Sequence, residues 1–116
     1  MKEITPEDWL ADGYKRFNEV KHFKPYAEFG LQKCVRDELG KCYFITVYVY
    51  DNFNSIMDIG PRWSFAPDVQ FCFEDKPTVN IEIITSGCNW SITSVEQQIH
   101  EMWVFLGKPY YERYND

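Results

Sequence analysis

The sequence predicts an α+β fold: a four-stranded antiparallel sheet of two hairpins, with N- and C-terminal helices packed on one face (α-β-β-loop-β-β-α). Three observations carry this. Residues 28–51 alternate apolar and polar side chains about a tight turn at Glu38-Leu39-Gly40. Residues 69–85 repeat the pattern about Asp75-Lys76-Pro77. Both hairpins are flanked by segments whose apolar residues recur at helical spacing.

The first helix is expected over Pro6–Asn18. Thr5 is placed to cap it, Pro6 fits its first position, and Glu7 and Asp8 suit the positive end of its dipole. Trp9, Leu10, Tyr14 and Phe17 form its apolar stripe, with Gly13 inside it letting the helix approach the sheet. In the first hairpin, Gly40 supplies the left-handed backbone, Asp37 pairs with Lys41, Val35 with Tyr43, and Lys33 with Ile45. One face then carries Phe29, Leu31, Val35, Tyr43, Ile45, Val47 and Val49; the other carries Cys34, Cys42, Phe44, Thr46, Tyr48 and Tyr50. Asp51–Asp68 reads as a folded, apolar loop, with residues 62–65 extended, and as a binding element. In the second hairpin Val69, Phe71, Phe73, Val79, Ile81 and Ile83 face inward. Thr93 with Glu96, or alternatively Ser91, caps a second helix that ends at Gly107 and is barred from continuing by Pro109. The aromatic tail, Tyr110 to Tyr114, is expected to dock.

The 116 residues make a single domain, 1–116, large enough for a core without disulfides or a structural metal. A 45% hydrophobic and 18% aromatic content excludes disorder. No apolar run reaches the roughly 20 residues of a membrane helix, and the charged N-terminus is unlike a signal peptide. A cytoplasmic location is the expectation. The net charge of −6 arises after residue 50, where 4 Lys/Arg meet 10 Asp/Glu. That balance disfavours nucleic acid, whose phosphates select a basic footprint.

No catalytic constellation emerges. Cys34, Cys42, Cys72 and Cys88 lack zinc spacing and read as free thiols, although the first three are expected to share a sheet face. Cys88 precedes a helix start, where a thiol is activated, but His100 lies two turns along that helix, out of reach. Glu74 and Glu82 read as a solvated strand face, and the glycines form no phosphate loop. No cofactor and no metal are assigned.

The segments Gly13-Tyr14-Lys15-Arg16-Phe17, Leu31 to Asp37 and Gly40 to Ile45 resemble small uncharacterised proteins encoded by tailed bacteriophages and prophages. The resemblance covers about a third of the chain and implies an accessory protein in a bacterial host, with no activity and no site residues. The expected function is protein binding, to a host protein or to a second copy, through Phe44, Tyr48, Tyr50, Trp63 and Phe65 as aromatic anchors. The alternatives are a small cysteine- or carboxylate-dependent enzyme and a homo-oligomeric virion part.

Overall fold

A computed structural model describes residues 3–17, 24, 26–52, 62–73, 77–85 and 90–110. Its elements are α1 (Pro6–Ala11), β1 (Lys15–Phe17), β2 (Phe29–Arg36), β3 (Cys42–Asp51), β4 (Trp63–Phe71), β5 (Val79–Glu82) and α2 (Ile92–Phe105). The fold is α+β, as expected, but the antiparallel sheet has five strands rather than four, in the order β1-β2-β3-β4-β5. No helix among the described residues is long and apolar enough to cross a membrane.

The first hairpin has the expected register. Val35 faces Tyr43 and Lys33 faces Ile45. The Asp37 N–H donates to the Lys41 carbonyl at 2.9 Å, and Gly40 has φ +83°. The Asp37 carboxylate ties the turn further, accepting the N–H groups of Leu39 and Lys41 at 2.9 Å each.

The first helix is shorter than its apolar spacing suggests, ending at Ala11 instead of Asn18. Gly13 is not a packing glycine inside a helix but the residue that stops it, at φ +101°. Its N–H donates to the Leu10 carbonyl and that of Tyr14 to the Trp9 carbonyl, a Schellman closure. Tyr14 then packs edge-on to Trp9 at 5.0 Å, and Lys15–Phe17 become the missed fifth strand. Phe17 lies over Gly30, where an added Cβ would sit 2.5 Å from the ring. β1 depends on that bare position.

The 51–68 segment also differs from expectation. Strand β4 begins at Trp63, so the extended part of this segment is a full member of the sheet; residues 53–61 lie outside the described residues. Pro67 sits within β4, between β3 and β5. Its carbonyl accepts the Ile83 N–H at 3.0 Å, so its nitrogen, which has no hydrogen, faces the same side. The missing donor falls just beyond β5, which ends at Glu82. A proline is thereby accommodated in a central strand. In the second hairpin Val69, Phe71 and Ile83 are buried, whereas Val79, expected inward, is exposed at the outer end of the edge strand.

Both helices cover one sheet face. Trp9 from α1 and Val95, Ile99 and Trp103 from α2 join Leu31, Tyr43, Ile45, Val47, Val49, Val69 and Phe71 in a single core. Ser91 caps α2 with Ser94 in reciprocal hydrogen bonds, so the alternative cap is used and Thr93 with Glu96 is not. As read from the sequence, Gly107 closes α2, at φ +84° and again in Schellman form. Trp103 meets the Tyr43 ring at 4.8 Å and donates its Nε1–H to the Pro109 carbonyl at 2.9 Å.

The two buried tryptophans are not equivalent. Trp9 Nε1 has no hydrogen-bond partner among the described residues. Trp103→Phe leaves the Pro109 carbonyl unpaired, adding about 1–3 kcal/mol to the loss of ring volume. Trp9→Phe removes an unpaired donor instead. Urea unfolding is therefore expected to show the larger destabilisation for Trp103→Phe.

Candidate functional site

The outer sheet face carries no helix among the described residues, and its side chains follow from strand alternation. β3 contributes Phe44, Thr46 and Tyr48, β4 Asp68 and Gln70, and β5 Asn80 and Glu82. With Gln32 of β2 they line an open hollow of about 610 Å³. Gln32 Nε2 donates to Thr46 Oγ1 at 3.3 Å along its floor.

Charge makes this hollow unusual. Asp68 and Glu82 stand directly opposite each other across β4 and β5. Like charges in that position destabilise a sheet. Asp68 Oδ1 is buried and has no hydrogen-bond partner among the described residues. Burial first, and Glu82 second, hold the Asp68 carboxyl above its ordinary range. Burial and the Asp68 carboxylate also push the Tyr48 phenol up. Lys24 offsets this in part: its Nζ lies 4.0 Å from Glu82 Oε1 and 5.7 Å from the centre of the Tyr48 ring, and its charge, then a hydrogen bond from the Val69 backbone, draws the Asp68 carboxyl part of the way back.

The sequence-derived anchors divide. Phe44, Tyr48 and Tyr50 lie on the outer face, each partly exposed, and the first two line the hollow. Phe65 does not: it is 6% exposed on the opposite face, against Trp9 and Trp90. Trp63 shares the parity of Phe65, packs partly against the core and is covered by the Arg62 guanidinium at 4.7 Å. The loop and the outer hollow thus do not supply one set of aromatics. Asp68 was missed because it closes a segment that reads as a loop. Its true signal is its position two residues from Gln70 in a strand that runs through a proline.

A second cleft, of about 680 Å³, separates β2 from α2 and contains a network the sequence did not reveal. Lys33 Nζ donates to Glu96 Oε2 at 2.8 Å and to Asp12 Oδ2 at 3.1 Å, while the Tyr14 hydroxyl donates to Glu96 Oε2 at 3.1 Å. The hydrogen bond from Glu96, then Lys33, lowers the Asp12 carboxyl; burial, then Asp12, raises that of Glu96. Tyr43 Oη lies 3.2 Å from His100 Nδ1, and burial followed by Glu96 pushes its phenol to about 12. These groups satisfy one another and clamp α1 and α2 to β2.

Cys34 is exposed, while Cys42 and Cys72 are buried, and none of the three is in a disulfide. Burial first, then Cys34, raises the Cys42 thiol and outweighs the lowering by Arg36, so the thiol is not activated. Cys72 Sγ lies 3.8 Å from Thr78 Oγ1. Among the described residues no group of three His, Cys, Asp or Glu side chains is arranged to hold a metal ion. Cys88, His22, Glu74 and the tail from 111 lie outside the described residues.

Two stability predictions follow from the carboxylates. Asp68 has a raised folded-state pKa, so its contribution is full below its unfolded value and is lost as pH rises through the folded one. Asp68→Asn should therefore stabilise at pH 7, by up to about 1 kcal/mol from the relieved like-charge pair, and converge with wild type in acid. Lys33→Met leaves Asp12 and Glu96 facing each other without a cation. We expect a cost of about 1–3 kcal/mol at neutral pH that shrinks in acid as the carboxylates protonate. Denaturant unfolding at several pH values checks both.

No protein-family model, curated protein or solved structure matches the chain.

Proposed function

We propose that this chain is a non-enzymatic binding module whose outer sheet face docks a segment of another protein, one of basic character. The observation that carries the reading is Asp68: a carboxylate with one buried oxygen that has no hydrogen-bond partner among the described residues, set opposite Glu82 in an aromatic-lined hollow. Such an arrangement costs the folded chain stability, and a cationic partner would return it. Phe44 and Tyr48 add contact area that orders few side-chain torsions. Self-association through the same face is disfavoured, because it would set the Asp68 and Glu82 patches of two copies together. The resemblance to phage-encoded accessory proteins makes a bacterial host protein the natural partner.

Capture from bacterial lysate tests this with three folded baits: wild type, Phe44→Ala/Tyr48→Ala and Val104→Ser/Phe105→Ser. The last alters the exposed end of α2, away from the hollow. Basic proteins retained by wild type and the helix variant, but lost by the face variant, support the reading. Recovery unaffected by the face substitutions, or lost only with the helix variant, overturns it.

A further inference from the structure

We infer that the hollow is an arginine subsite: a guanidinium of the docked protein segment lies on Tyr48 and pairs with Asp68 and Glu82. The inference rests on the reading of the outer face as a protein-binding surface and names the chemistry recognised there.

Three features of the structure converge on it. The Asp68–Glu82 pair places two acceptors on neighbouring strands and on the same face: Asp68 Oδ1 has no hydrogen-bond partner among the described residues, and Glu82 meets the end of Lys24 at 4.0 Å. A planar guanidinium can donate to both at once while its face lies on an aromatic ring, a combination that suits arginine. Tyr48 lies close enough to both carboxylates for each to affect its phenol, so a cation between them also meets an aromatic ring. Finally, the chain already seats a cation at the rim. Lys24 rests against Tyr48 and Glu82 beside a smaller recess of about 130 Å³ shared with Asp68. It holds the outer corner of the subsite and its charge also reaches Asp68, so a docked guanidinium competes with it.

Elsewhere on the molecule arginine already adopts this posture: Arg62 lies over the Trp63 ring at 4.7 Å while donating to both oxygens of Asp51, at 3.1 Å each. The hollow offers the same pairing of ring and carboxylate, without an arginine of its own among its lining residues.

The test is a titration of the ¹⁵N-labelled chain with the capped peptide Ser-Arg-Ser-Arg-Ser and with its citrulline counterpart, which keeps shape and loses charge. The arginine peptide is expected to shift the amides of Thr46, Tyr48, Asp68, Gln70 and Glu82 saturably. Citrulline, or Asp68→Asn/Glu82→Gln, should weaken binding by about tenfold or more, as expected for removal of a partly desolvated charge pair. Lys24→Met should strengthen it by a few fold, because the rim cation competes. Equal affinity for both peptides, shifts confined to another surface, or no saturable shift overturns the inference. Methylguanidinium binding as tightly as the peptide would also overturn it, by reassigning the hollow to a free small cation. If the peptides fail while Phe44→Ala/Tyr48→Ala still loses captured proteins, the binding face stands and only the arginine subsite falls. Failure of both removes the binding face as well.

Discussion

Two tryptophans decide which side of the sheet is left bare. Trp9 and Trp103 are each fully buried, and each occupies the same place in its helix, four positions before the glycine that closes it. In both cases a left-handed glycine follows and the chain turns back over the ring: Tyr14 packs on Trp9, and Lys108 lies 5.5 Å above Trp103. Each helix end is therefore fastened by the ring that anchors it to the sheet. A large aromatic buries more apolar area than any other core residue, so these two positions dominate the attachment of both helices. Because both dock on the Leu31–Tyr43–Ile45 face, the described residues leave Phe44, Tyr48 and their neighbours on the opposite side without a helical cover.

The charges on the two faces are treated differently. On the helical side, Lys33 stands between Asp12 and Glu96, with Tyr14 completing the shell, so each of these charges has partners. On the outer side, Asp68 faces another acid and has one oxygen without a hydrogen-bond partner among the described residues. A fold able to satisfy one carboxylate cluster so fully has no structural need for the other. Stability given up at a local site is a common accompaniment of function. This contrast, more than the hollow itself, points to the outer face.

Much of the sheet was legible because strand alternation has a period of two: once Gly40 placed the turn, every residue of the first hairpin fell on its proper face. Phe44, Tyr48 and Tyr50 could be assigned to the outer side on that basis alone. The first helix was misjudged for a specific reason. Tyr14 follows Leu10 by four and Phe17 follows Tyr14 by three, which is helical spacing, yet the Trp9–Tyr14 contact arises from a Schellman closure. Only the backbone sign at Gly13 separates the two cases. Phe65 and Asp68 were misplaced by Pro67, which argues against a central strand until the short β5 is seen to leave its nitrogen side unpaired. The Lys33–Glu96 clamp joins residues 63 positions apart and had no local signature.

The central claim is that the half-buried Asp68 carboxylate, set opposite Glu82, takes a cation from a docked partner. Following the Asp68 carboxyl carbon by NMR through an acid titration measures this directly. A midpoint above the ordinary aspartate value of about 3.9, falling back when the arginine peptide is present, is the predicted result. An ordinary or depressed midpoint in the free protein would mean that the carboxylate already has its partner, and the account of the outer face would fail.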